Sequence, residues 1–190
     1  KVNHANKSKG KLEASLDELL RQGEHARVHV AHLKSVYGRG AGRGEEILAH
    51  LRAARERGVT VTADLYPYTA SYTGLSLLFP EWAKTREQFD AVKDARRDEL
   101  LTHLRERVNG RNGPEATLLG TPPHAGRTLA ELADALGKPF EVVLLDDLGP
   151  DGGSAAYFIM DETLQETLFG DPHVAVCSDG SPTGFHPRGH

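Results

Sequence analysis

Two imidazoles and a carboxylate stand out in this chain by where they fall rather than by close spacing. His32 sits near the end of one alternating run, RVHVAHL at residues 27–33, and Asp179 near the end of another, HVAVCSDG at 173–180. Asp64 and Tyr66 close a third, VTVTADLY at 59–66, and His4 stands just ahead of the first helical pattern, where an earlier strand could end. In parallel α/β barrels the loops that follow the strands converge on one rim, so strand-end groups are the ones that meet. A carboxylate or imidazole leaving a buried strand needs a partner, and a metal ion is one such partner. His4, His32 and Asp179 on separate strands fit a zinc site that keeps one position open for water. A plainer alternative stands beside it: the histidine bonds a backbone group, and the Asp-Gly pair at 179–180 only shapes a turn.

Two further stretches invite chemistry and give less. GRGAGRG at 38–44 lies between a strand and a helix, where phosphates are often cradled. It matches neither the dinucleotide spacing nor the Lys-Ser/Thr of a P-loop, and it reads as a flexible rim loop. Cys177 falls two residues before Asp179, so both side chains share one face of an extended strand. The thiol reads as a small buried filler, with no base identified to activate it.

The elements that must place these groups follow from periodicity. Residues 11–23, KLEASLDELLRQG, gather Leu12, Leu16, Leu19 and Leu20 on one face and stop on Gly23, the pattern of an amphipathic helix. Residues 44–57 repeat the pattern with Ile47, Leu48 and Leu51 inward and Gly58 as the stop. Strand, helix and strand therefore alternate through the first third, which predicts parallel strands joined by crossover helices. Residues 81–110 are densely charged and predict one or two helices with a solvated face. A short strand, ATLLG, follows. Thr128 and Glu131 have capping-box spacing, another helix near PFEVVLLDDLG ends on Gly149, SAAYFI reads as a strand, and Asp161 is placed to cap DETLQETLFG. HVAVCSDG reads as a buried strand.

Bulk properties exclude several classes. The chain has 190 residues and a net charge of −4 with both signs interspersed, so no nucleic-acid surface is indicated. No run approaches the roughly 18 apolar residues of a membrane span, and no apolar segment follows the basic start KVNHANKSKGK. A single cysteine rules out an internal disulfide and fits a reducing, cytoplasmic setting.

Five strings, taken together and in order, resemble one family: HLKSVYGRG, ADLYPYTASYTG, GRTLAELA, AYFIM and SDGSPTGFHPRGH. They are similar to the N-acyl-D-amino-acid deacylases (D-aminoacylases) of the amidohydrolase superfamily, from about His4 to the last residue. The resemblance implies a (β/α)8 barrel with zinc at the strand C-terminal rim, and hydrolysis of N-acyl-D-amino acids to a carboxylate and a free D-amino acid. It implies His4 and His32 as metal ligands of the fifth and sixth strands and Asp179 as the eighth-strand general acid/base on a metal-bound water. It implies Lys34, Tyr157 and Arg188 as the residues that hold the substrate carboxylate. HANKSKG departs from the family's His-x-Arg around His4. The family's first-strand His-x-His pair and bridging cysteine belong upstream of this segment, and Cys177 does not match that cysteine.

The expectation is thus an α/β chain forming the C-terminal part of a barrel, about strands 5–8, with an inserted helical segment near 80–150, acting with zinc on a small N-acyl-D-amino acid and needing neither nucleic acid nor membrane. A piece of this size leaves strand edges unpaired and should be inactive by itself. Two rivals remain: a cyclic-amide hydrolase of the dihydroorotase or hydantoinase kind, and a barrel-derived binding protein without catalysis.

Overall fold

The computed structural model of the chain describes residues 11–36 and 38–180. They fall into two compact units, one running up to Thr69 and resuming at Met160, the other spanning Ala70–Ile159.

The first unit is α/β. It holds α1 (Lys11–Gln22), β1 (Val28–Val30), α2 (Gly40–Glu56), β2 (Val61–Leu65) and, after the second unit's residues, a further helix (Glu162–Phe169) and strand (Val174–Val176). The three strands form one parallel sheet with β2 in the middle. Val28 pairs with Val61, Val30 with Ala63, and Ala63 and Leu65 with Val174 and Val176. Because side chains alternate along a strand, one face collects Val30, Val61, Ala63, Leu65 and Val174. These join Leu12, Leu16 and Leu20 of α1, Ile47, Leu48, Leu51 and Ala54 of α2, and Leu164 and Leu168 in a single core. The other face carries His29, Thr62, Asp64 and Ala175, half-buried or exposed. A parallel sheet ordinarily has both faces covered, so a polar second face is a feature to account for.

The amphipathic helices appear where the leucine spacing puts them. Three details differ. The first strand stops at Val30, two residues before His32, so His32 lies in the turn that follows rather than in the ladder. The glycine-rich stretch is not a loop: α2 begins at Gly40, four residues ahead of the predicted start. The last strand is not buried throughout, since Ala175 and Val176 are exposed.

The second unit is built on an antiparallel sheet. It comprises β3 (Ala70–Gly74), 3-10 turns at Leu75–Leu78 and Glu81–Ala83, α3 (Arg86–Val92), α4 (Arg97–Asn109), β4 (Thr117–Leu119), α5 (Leu129–Leu136), α6 (Phe140–Val142) with a π-helical continuation to Leu148, and β5 (Ser154–Phe158). The strand order is β3-β5-β4, with Tyr157 opposite both Ser71 and Thr117. The charged stretch after residue 80 yields two helices, as its pattern predicts. The Thr128–Glu131 capping box is present, and a second one joins Thr85 to Gln88. β3 is the element that periodicity missed: ASYTG is small and polar, and its pairing with β5 makes it a strand. The final helix and strand of the first unit are α7 (Glu162–Phe169) and β6 (Val174–Val176), with Asp161 accepting from the Leu164 N–H as the cap of α7. Among the described residues no helix is long and apolar enough to cross a membrane.

Candidate active site at the strand ends

The carboxylate of Asp64 ties the ends of the three parallel strands together. Asp64 lies on the polar face of the central strand. Its Oδ1 accepts the His32 backbone N–H at 2.5 Å and lies 3.3 Å from Cys177 Sγ, while its Oδ2 meets His29 Nε2 at 2.8 Å. A carboxylate only accepts, so Nε2 of His29 carries the proton, and Nδ1, 2.7 Å from Thr62 Oγ1, accepts from that hydroxyl when the ring is neutral. The Asp64 backbone carbonyl takes the next amide, Leu33 N–H, at 2.7 Å. Burial by itself would raise the Asp64 pKa, but the bonds from His29, the His32 amide and Cys177 outweigh it and leave it lowered. Cys177 is pushed up to about 11, first by burial and then by its bond to Asp64, so it stays a thiol at neutral pH and donates.

His32 has φ +45° and Asp179 has φ +47°. Among the described residues only Asn112 joins them as a non-glycine with positive φ. Such a backbone costs about 1–3 kcal/mol and persists where surrounding bonds impose it, which happens disproportionately at functional sites. Asp179 follows β6, two residues after Cys177, and is exposed.

Lys34, two residues past His32, is buried, and its Nζ donates to Tyr66 Oη at 2.5 Å. Tyr66 is fully buried, with its ring centroid 5.7 Å from that of Tyr68. The loop carrying both tyrosines is fastened by Gln165 Nε2 to the Tyr68 carbonyl at 2.8 Å and by the Met160 amide to the Thr69 carbonyl at 2.9 Å. A buried ammonium braced by a phenol is a ready partner for a small anion.

Of the residues singled out by sequence, His32, Lys34 and Asp179 fall in this one unit, at the ends of β1 and β6. His4 and Arg188 lie outside the described residues. Tyr157 belongs to β5 in the second unit. There it is fully buried, its hydroxyl 3.4 Å from the Gly74 carbonyl and its ring 4.6 Å from the Arg111 guanidinium, and burial raises its pKa well above the phenol range. Sequence reasoning gave no part to His29 and no role to Asp64 or Tyr66. The signal for the latter two was a polar Asp and Tyr closing a run of β-branched residues.

Zinc takes three or four protein ligands of the His, Cys or carboxylate type. His32 and Asp179 are suitable in kind. Their number falls short, since among the described residues no group of three or more His, Cys, Asp or Glu is placed to hold a metal ion. His29, Asp64 and Cys177 are instead engaged with one another. The described residues thus do not form a zinc site by themselves.

No protein-family model matches the chain. An N-acyl-D-glutamate deacylase of Alcaligenes xylosoxydans xylosoxydans is 31% identical over 179 residues, which are 93% of this chain and 30% of that protein. The crystal structure of an N-acyl-D-glutamate deacylase from Bordetella bronchiseptica, complexed with zinc and a phosphonate mimic of the tetrahedral intermediate, superposes with a TM-score of 0.61 at 28% identity, covering 92% of this chain and 31% of its own. A D-aminoacylase described as defining a novel subset of amidohydrolases superposes with a TM-score of 0.58 at 24% identity over 91% of this chain and 30% of its own, which supports the fold alone. The chain spans about 30% of the length of the curated relative it matches. Along nearly its whole sequence, and in its fold, the chain is similar to N-acyl-D-glutamate deacylases.

Proposed function

We propose that the chain is part of the active-site barrel of a zinc-dependent N-acyl-D-amino-acid deacylase. β1, β2 and β6 act as the sixth, seventh and eighth strands of a (β/α)8 barrel, His4 ends the fifth, and the residues near 80–150 are an insertion. On this reading the polar face of the parallel sheet is the inner wall of the barrel. The observation that carries the proposal is the convergence of the three strand ends on Asp64, which brings the His32 and Asp179 turns to one rim beside the buried Lys34–Tyr66 pair.

In the complete protein His4 and His32 would be ligands, with the others supplied from outside this chain. Zinc, when bound, polarises an amide carbonyl and acidifies water. The chain's own residues do the rest. The exposed carboxylate of Asp179 takes a proton from the attacking water and returns it to the leaving nitrogen. Lys34 meets the α-carboxylate of the substrate as a point charge, held in place by Tyr66, and Arg188 adds a two-pronged grip. Tyr66 is the phenol that braces Lys34, and Tyr157 completes the set that holds the carboxylate. The reaction belongs in the cytoplasm, where the free thiol of Cys177 stays reduced.

The test is a turnover assay on the full protein with N-acetyl-D-amino acids, their L-enantiomers and hydantoins, together with metal analysis. Deacylation should be confined to the D-series and accompanied by stoichiometric zinc. Asp179→Asn should lower kcat by about 10²–10⁴. Lys34→Ala should raise KM about tenfold, about 1.4 kcal/mol, with kcat little changed. Near-normal turnover of Asp179→Asn, cleavage of hydantoins alone, or a zinc-free inert protein would each overturn the proposal.

A further inference from the structure

We infer that Asp64 is the positioning residue of this site: one carboxylate sets the turn that carries His32 and, through Cys177, the turn that carries Asp179. The consequence for zinc rests on the deacylase reading above, whereas the positioning itself does not.

The central strand is the only one in the sheet that touches both neighbours, and Asp64 stands at its C-terminal end, opposite Ala175 of β6 and one residue past the Val30–Ala63 pair. From there it holds two successive amides of the turn after β1, His32 N–H on its Oδ1 and Leu33 N–H on its own backbone carbonyl. A β-carbon resists the positive φ of His32, and those two bonds help hold the turn in it. The second branch runs the other way. Cys177 reaches the same carboxylate oxygen through its thiol and bonds the Leu65 carbonyl through its amide, and two residues on stands Asp179, the other non-glycine residue of this unit described with positive φ. The plane of the carboxylate is fixed in turn by His29 on Oδ2, itself anchored on Thr62. Carboxylate, thiol and the His32 amide therefore form one connected set, with the His32 turn at one end and, at the other, the Cys177 position from which the chain turns into Asp179. Asp64 touches no reacting atom in this arrangement. It acts by orienting residues that do, as outer partners of metal ligands commonly act.

The experiment uses the full protein and four variants. Asp64→Asn keeps an oxygen for the His32 amide, and Asp64→Leu keeps the volume but offers no acceptor. Cys177→Ala cuts the branch to Asp179, and Cys177→Ser preserves a donor and acceptor there. Zinc affinity is measured by competition with a chromogenic chelator, the His32 amide by two-dimensional NMR, and folding by thermal melting. Asp64→Leu should weaken zinc binding about 10- to 100-fold with KM unchanged, and should move the His32 amide proton upfield. Asp64→Asn should stay within about threefold of the parent on the same scale. Cys177→Ala should lower kcat about tenfold or more, and Cys177→Ser should restore it. A folded Asp64→Leu protein with unchanged zinc affinity and an unmoved His32 amide would overturn the inference. So would a Cys177→Ala enzyme indistinguishable from the parent, which keeps the test decisive if Asp64→Leu does not fold. A parent that binds no zinc would end the deacylase reading, and the amide shift would still decide whether Asp64 sets the turn.

Discussion

The groups with most leverage over this chain are carboxylates that gather donors from distant segments, and Asp171 shows the principle outside the candidate site. It sits just before β6, almost wholly buried, accepting the His173 amide at 2.9 Å and facing the guanidinium groups of Arg52 and Arg55 of α2 at 3.5 Å each. Burial by itself would raise its pKa, but the His173 amide and the Arg55 charge outweigh burial and hold it below the usual carboxylate range. A pKa lowered on folding contributes stability that is present above the unfolded value, about 3.9, and is lost as pH falls through the lower folded value. Asp171→Asn should therefore lower the melting temperature at pH 7 by several degrees, about 1–3 kcal/mol. The gap between parent and variant should narrow as the pH is taken below about 4. An equal gap at pH 7 and pH 3 would show that charge plays no part. Asp64 gathers its donors in the same way, and this explains what the sequence could reveal. The positions of His32 and Asp179 were legible because each ends or follows a strand-type run, whereas Lys34 came only from the resemblance. The partner of Asp64 was not legible: the His32 amide lies 32 positions away and Cys177 lies 113 away. Only the parallel register joins them, and no local pattern encodes register.

At the scale of elements, the glycine-rich stretch 38–44 shows how a composition that suggests a loop can be a packing device. Gly40, at φ +72°, turns the chain into α2, and its N–H is received by Asp161, the same carboxylate that caps α7. Gly44 packs against α7: a β-carbon there would stand 2.7 Å from Thr167 Cβ. Gly42, between them, has open space around the position a β-carbon would take. The three glycines thus have different duties that spacing alone does not separate. Gly44→Ala should destabilise the chain by about 1–3 kcal/mol through overpacking. Gly42→Ala, in the same helix, should stabilise it by about 0.5–1 kcal/mol through helix propensity. Chemical denaturation of the two variants beside the parent checks both signs, and equal effects would refute the packing account. Elements with their own periodicity, α1 and the body of α2, were legible because their apolar faces are written in the chain. β3 was not, because its pairing with β5 supplies what its small polar residues lack.

At the scale of the whole molecule, the question is what covers the edges of the parallel sheet. Within the first unit β1 and β6 are the outer strands, and Val176 of β6 is 71% exposed although it alternates onto the core side with Val174. An open edge with an apolar residue beside it templates association. The chain spans about 30% of the length of the curated relative it matches, and on the proposed barrel reading a further strand of a longer protein would occupy that edge. Two outcomes follow for one substitution. In the 190-residue chain taken alone, Val176→Lys should reduce self-association while leaving the melting temperature nearly unchanged, because the side chain already meets solvent. In a protein that carries the remaining strands, the same lysine should be buried against the neighbouring strand and its helix, and should cost about 2–4 kcal/mol. Light scattering and melting of both forms would decide. A neutral effect in the longer protein would mean that β6 remains an edge there, and the sheet described here would then not continue into a closed barrel on that side.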